Sequence, residues 1–288
     1  MNKNIIFISS YPKSGNTWVR ILISSLLDNL ITQEKNNLKN FNFKDLEKIN
    51  MFSQLAYFRN IKGYAIKEDG VLDDNFTINN WINAQKLINQ NSSKTKFFKT
   101  HNIRGKINGK NFTDETVCLG FIYISRDPRD IAISKAKYMN TSIDVSIDRM
   151  LNDEKVITCP TKVNEYVNTW ENHVTSWYSF NKVPRLMIKY EDMLKDTKKI
   201  IAQIIEFINL TSSFKIANNE EIISHVLENT NFSNLKKMES NQGFVESVPH
   251  SNFFRKGTSG QWKDVLDKNQ ISLIEKKLQI PMQYLGYL

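Results

Sequence analysis

The 288-residue sequence predicts a three-layer α/β fold: a central parallel sheet flanked by helices, in one domain spanning 1–288. Three observations lead there. Four short apolar runs have the unbroken pattern of strands covered on both faces. Amphipathic segments alternate with them, as layered α/β folds require. No Pro/Gly/Ser-rich linker divides the chain, and its length suits one large domain.

The elements follow in order. Ile5–Ile8 opens the sheet. Thr17–Leu30 reads as a helix, with Val19, Leu22, Ile23, Leu26 and Leu27 on one face. Lys96–Lys99, with Phe97 and Phe98, is the next strand. Val117–Ser125 is the third, leading into a helix over Pro128–Tyr138. Val163–Phe180 reads as an aromatic-rich helix and Arg185–Lys189 as the last strand. Lys198–Ile208 is a helix with Ile201, Ile204, Ile205 and Ile208 in register. Ser240–Gln261 has little periodicity and several turn residues, and reads as a long loop of the functional or mobile kind.

At 40% hydrophobic and 11% aromatic, the chain can bury a sizeable core, which excludes global disorder. The net charge of +9 fits an anionic partner: nucleic acid, an acidic membrane surface, or a phosphorylated or sulfated ligand. The basic residues form no concentrated arm or tail. Cys118 and Cys159 make neither a metal-ligand spacing nor a disulfide framework, so a reduced, cytoplasmic setting is expected. The first apolar run is too short for a signal peptide, and no stretch has the length of a membrane span.

Four stretches carry candidate chemistry. "YPKSGNTW", residues 11–18, joins the first strand to the first helix. The first N–H groups of a helix lack intrahelical partners and favour an anion. Gly15 lets the backbone approach a ligand, Lys13 adds a positive charge, and Ser14, Asn16 and Thr17 add short donors. Trp18 offers a face for a base. This is not a Walker A loop, because Lys precedes the single Gly. "FIYISRDPRDIAISKAKY", residues 121–138, repeats the strand–turn–helix plan. Arg126 and Ser134 could grip one phosphate. The alternative is a structural ion pair of Arg126 with Asp127 or Asp130. In "FFKTHNIRG", His101 follows a strand end beside Lys99, where a general base for a hydroxyl or amine would sit. "RKGTSGQWK", residues 255–263, is a flexible basic loop able to close over a phosphate. Any one of these, alone, also reads as an ordinary turn or a structural histidine.

Together, and in this order, the stretches resemble the cytosolic sulfotransferase family over nearly the whole chain. "YEDM", residues 190–193, adds to the resemblance. It implies a P-loop-like fold around a parallel sheet. It also implies a donor, 3′-phosphoadenosine 5′-phosphosulfate, whose product is adenosine 3′,5′-bisphosphate. On that resemblance His101 is the base and Lys13 neutralises the bridging oxygen. Lys99 stabilises the transferring sulfuryl group. Ser14, Gly15, Asn16, Thr17 and Trp18 hold the 5′-phosphate, with Trp18 on the adenine. Arg126, Ser134, Arg255, Lys256 and Gly257 hold the 3′-phosphate, and Tyr190, Thr230 and Phe232 line the adenine pocket. Lysines and helix N-termini then serve in place of Mg²⁺, so no metal is expected.

Three departures from the family pattern matter. Asn16 stands where Thr is usual. Asn102-Ile103-Arg104 replaces the usual Leu-Pro after the histidine. Lys263–Ser272 lacks the usual dimerisation motif, which leaves a monomer or a different dimer. The acceptor is expected to be a small molecule, with no nucleic-acid or membrane partner. Glu68, Asp69, Asp73 and Asp74 form an acidic patch within residues 68–74 that suits a cationic, guanidinium-type natural product, or is simply a solvated loop. The rival readings are a P-loop-type small-molecule kinase, and a non-enzymatic protein binding nucleic acid or another polyanion.

Overall fold

A computed structural model describes residues 2–33, 38–152 and 162–288; Cys159 lies outside them. The five strands of the main sheet are β1 (Ile5–Ser10), β2 (Ile49–Met51), β3 (Lys96–Thr100), β6 (Cys118–Ser125) and β7 (Arg185–Lys189). A two-stranded hairpin, β4 (Lys106–Ile107) and β5 (Lys110–Asn111), lies apart from it. The sheet order is β2-β3-β1-β6-β7, and every pair in it is parallel. The four strands read from the sequence are present, each within two residues of the expected bounds. β2, with three residues, is too short to give a pattern.

Alternate residues of each strand face opposite layers. Ile5, Phe7, Phe98, Phe121 and Tyr123 face one core. It is completed by α2 (Asp74–Gln90), α3 (Pro128–Met139), α4 (Ile143–Asn152) and α5 (Trp170–Tyr178). Ile6, Ile8, Phe97, Ile122 and Ile124 face the other core, with α1 (Asn16–Gln33). Beyond β7 come α6 (Tyr190–Lys195), α7 (Thr197–Thr211), α8 (Glu220–Asn229) and α9 (Phe232–Gln242). Of these, α7 and α8 join α1 on the second face. Three short C-terminal helices, α10 (Trp262–Val265), α11 (Lys268–Lys277) and α12 (Gln279–Leu285), close the first face through Leu266, Ile274 and Met282.

One helix is shorter than expected. Residues 163–169 are not helical, and α5 starts at Trp170. The cause is local: Asn168 has φ 65, and the Thr169 hydroxyl accepts from Asn172 N as the N-cap of α5. The apolar spacing of Val163, Tyr166, Val167 and Trp170 imitates a helix because all four are buried. Residues 243–261 have no helix or strand, in line with the expected long loop. They cover a third small core in which Phe244 and Phe254 pack with Ile21, Phe41 and Leu235. Glu239 anchors this segment by accepting from Phe253 N (2.7 Å) and Phe254 N (2.9 Å). Among the described residues no helix is long and apolar enough to cross a membrane.

Candidate active site

The sheet reverses its winding between β1 and β6. In open α/β sheets, ligands bind in the crevice beyond the strand ends at such a switch point. The loop after β1 carries Lys13, and the end of β6 carries Arg126. The two are joined directly: Arg126 Nη1 donates to the Lys13 carbonyl at 3.1 Å. Lys13 has φ 71, which a non-glycine residue adopts only where its surroundings hold it. Gly15 has φ 102, and a Cβ there would stand 2.7 Å from the Tyr190 ring, so the turn admits no side chain.

Polar atoms at and beside this turn are left unpaired. Ser14 Oγ, Trp18 Nε1 and Arg126 Nε are buried with no hydrogen-bond partner among the described residues. Buried polar groups are normally satisfied, so three such atoms at one switch point mark a place for an acceptor-rich ligand. Asn16 differs from the expectation of a short donor toward the ligand. Its amide donates to the Ile8 carbonyl (3.1 Å) and ties the turn to β1, which leaves its backbone N–H for that purpose.

Lys13 Nζ lies over Tyr138 of α3 (4.0 Å) and Phe253 of the long loop (4.7 Å). Burial pushes its ammonium down to about 8; Glu246 opposes the shift, and Arg126 and Arg255 add to it. Lys13, Ser134, Glu246 and Arg255 share a cavity of about 30 Å³. Arg126 also stacks on Tyr190 (4.2 Å) and donates to the Thr258 carbonyl (3.1 Å). Its nearest carboxylate, Asp130, is 3.9 Å away. Asp130 is instead occupied with the late loop, accepting from Gly260 N (2.6 Å) and Trp262 N (3.1 Å). Asp127 pairs with Arg129. Arg126 is therefore not locked into a close ion pair with either aspartate.

The remaining sequence candidates distribute around this point. Gly257 has φ 62, and a Cβ there would collide with the Phe232 ring, so this loop and the start of α9 interlock. The buried Thr230 hydroxyl donates to the Val226 carbonyl (2.6 Å) and so closes α8. Lys256 is exposed, with no close partner among the described residues.

On the other side of β1, the end of β3 carries Lys99 and His101. His101 Nδ1 lies 2.7 Å from the Ser10 carbonyl. A carbonyl only accepts, so Nδ1 carries the proton and Nε2 keeps the lone pair. Burial and then the Lys99 charge hold the imidazole down at about 4, against the opposing pull of Glu165. His101 is therefore neutral near pH 7.

Two residues the sequence reading passed over complete this corner. Glu165 accepts from Lys99 Nζ (2.7 Å) and from His101 N (2.8 Å), with no exposure of its own. Burial alone would raise its carboxyl; the Lys99 charge and then His101 outweigh this and hold it at about 2. His173 takes a hydrogen bond from Tyr123 OH on Nδ1 (2.8 Å), and its Nε2 donates to the His101 carbonyl (3.2 Å). No local motif announces either one, because each acts across more than 60 residues of chain.

The acidic patch has partners of its own. Asp73 caps α2 by accepting from Phe76 N (2.8 Å). Asp74 pairs with Lys67 and accepts from Tyr166 OH and Asn164.

Comparisons with known proteins bear on the family and the fold. A family model described as a sulfotransferase domain matches residues 3–286. The chain is 22% identical over 289 residues to flavonol 3-sulfotransferase of Flaveria bidentis, covering 95% of this chain and 80% of that one. It is 27% identical over 279 residues to sulfotransferase 1A1 of Bos taurus, covering 94% and 80%. In fold it matches mouse sulfotransferase SULT7A1, solved in complex with PAP, at a TM-score of 0.60 and 21% identity, covering 98% of this chain and 86% of that one. With its family match running nearly end to end on a parallel sheet of the expected kind, the chain belongs to the sulfotransferase domain family.

Proposed function

We propose that this chain, acting as one domain, moves a sulfuryl group from 3′-phosphoadenosine 5′-phosphosulfate to a hydroxyl or amine of a small molecule. The observation that carries the donor reading is the convergence at the β1/β6 switch point: Lys13 and Arg126 are joined there, and Arg126 Nε, Ser14 Oγ and Trp18 Nε1 are buried without a partner among the described residues. A ligand with two separated phosphate groups and a sulfate suits such a set.

The donor supplies a sulfuryl group bonded through one bridging oxygen to its 5′-phosphate, and transfer breaks the bond between sulfur and that oxygen. Ser14, Thr17 and the first backbone N–H groups of α1 hold the 5′-phosphate. Arg126, Ser134 and Arg255 hold the 3′-phosphate, with Lys256 and Gly257 beside them. Trp18, Tyr190, Thr230 and Phe232 border the adenine. Lys13 faces the oxygen on which charge grows, so its attraction is strongest in the transition state, where it accelerates the reaction. Lys99 faces the transferring group. His101 Nε2 takes the acceptor proton, in the tautomer that Ser10 enforces. His173 and Glu165 hold the His101 backbone from opposite sides. A cationic acceptor gains no support from Asp73 and Asp74, whose carboxylates are engaged by Phe76 N and by Lys67, Asn164 and Tyr166.

The test is a titration with adenosine 3′,5′-bisphosphate, beside ATP and a short DNA duplex, with EDTA throughout. Preferential binding of the bisphosphate, weakened on Arg126→Ala, is expected. Equal or better binding of ATP or DNA would overturn the donor assignment.

A further inference from the structure

Thr17, in the first turn of α1, points its hydroxyl at a carboxylate supplied by the protein itself. Thr17 Oγ1 donates to Glu246 Oε2 at 2.6 Å. Arg20, one helical turn on, forms an ion pair with the other oxygen of Glu246 and donates to Thr17 Oγ1 at 3.0 Å. Arg20 is buried, and its Nε has no partner among the described residues. Glu246 belongs to the helix-free segment 243–261 and lines the same cavity as Lys13, Ser134 and Arg255. That cavity, about 30 Å³, has room for a water or two but not for a phosphosulfate. Thr17 O–H and Arg20 thus hold one internal anion, with Lys13 and Arg255 lining the same cavity.

We propose that Glu246 is a resident counterion in the 5′-phosphosulfate cradle, displaced by the donor, and that Arg20 then becomes a donor ligand beside Lys13. The inference rests on the donor reading above. Its physical basis is exchange of like for like. A carboxylate and a phosphate oxygen accept the same charge-assisted hydrogen bonds, so both cannot occupy Thr17 and Arg20 together. Without a donor, Glu246 keeps the buried Arg20 from standing uncompensated, which would be costly. With the donor bound, segment 243–261 shifts to release it. The donor then binds only the fraction of molecules in which Glu246 has withdrawn, so its apparent affinity is lowered by that fraction.

The experiment compares bisphosphate affinity in the wild type, Glu246→Gln, and the charge-neutral pair Arg20→Gln with Glu246→Gln. Glutamine keeps the size and can still accept from Thr17, but it holds Arg20 weakly. Glu246→Gln is expected to tighten binding about tenfold. The double variant, which removes the Arg20–Glu246 pair as a unit, is expected to lose that gain and fall below wild type. Unchanged or weaker binding in Glu246→Gln would overturn the displacement. A double variant equal to Glu246→Gln would overturn the role of Arg20. If no variant and not even the wild type binds the bisphosphate, the donor reading itself fails, and this inference with it.

Discussion

Lys13 has its charge set by burial, and that gives a quantitative pH signature. Its ammonium titrates at about 8 in the free protein, held down chiefly by burial and opposed by Glu246. A bound phosphosulfate or bisphosphate places negative charge beside it and raises that value. The sign follows. Below pH 8 the free protein already carries the charge that the ligand needs. Above pH 8 a proton must be taken up on binding. The apparent dissociation constant then grows as one plus ten to the power of pH minus 8. This factor is about 1 at pH 7 and about 11 at pH 9, a tenfold loss over two units. Isothermal titration with adenosine 3′,5′-bisphosphate at pH 7, 8 and 9, in two buffers of different ionisation heat, reads both the affinity and the proton uptake. Lys13→Met should bind more weakly at pH 7 and show a much flatter profile. A wild-type affinity that stays level from pH 7 to 9, or a variant that keeps the full slope, would refute the assignment of the titrating charge to Lys13.

Other outcomes follow from the same geometry. His101→Ala should lower kcat by roughly 10²–10⁴ while leaving bisphosphate affinity near wild type, since His101 is assigned to the acceptor proton; a loss of affinity equal to the loss of rate would place it in donor binding instead. Glu165→Ala leaves the Lys99 ammonium buried without its carboxylate and should cost about 3–5 kcal/mol of stability by urea unfolding. Glu165→Gln, which keeps an acceptor for His101 N, should cost less. His173 is fully buried and held neutral down to about 3, chiefly by burial, whereas in the unfolded chain it titrates near its ordinary value of 6.5. Its contribution is therefore complete above pH 6.5 and lost progressively as the pH falls toward 3. Unfolding free energy at pH 5 should fall by about 2 kcal/mol on its account, a share that His173→Gln removes.

The parts of the molecule legible in the sequence are those whose physics is local. Ile5–Ser10 and Cys118–Ser125 are covered on both faces, so their apolar runs are unbroken and easy to read. Lys13, Lys99, His101 and Arg126 stand at or just past the C-terminal ends of strands, where a parallel sheet must present its ligand edge. Helix α2 was less visible: its exposed face is rich in Asn and Gln, and its N-cap, Asp73, reads equally well as part of an acidic loop. The charged residues that organise the site were not legible for another reason. Glu165 meets Lys99 across 66 residues, and Glu246 meets Arg20 across 226. Their pairing is set by the packing of the segment before α5, whose apolar spacing reads misleadingly as helix, and of residues 243–261, which have no period to read.

The acidic segment shows how a charge count and a charge environment diverge. Four carboxylates within residues 68–74 suggest a receptor for a cationic acceptor. The structure gives two of them a role in folding. Asp73 satisfies an N-terminal N–H of α2, a contact worth about 1 kcal/mol. Asp74 accepts from Tyr166 OH at 2.7 Å, and Tyr166 N in turn donates to the Asn102 side chain at 2.8 Å. Asn102 adjoins His101, so Asp74 supports the wall behind the candidate base, two contacts away. Burial raises the Asp74 carboxyl, but Lys67, Tyr166 and Asn164 together outweigh it and keep it below its ordinary value. Asp74→Asn should therefore lower stability and disturb turnover of cationic and neutral acceptors alike. A rise in KM confined to cationic acceptors, with stability unchanged, would contradict that role and return the segment to the acceptor site.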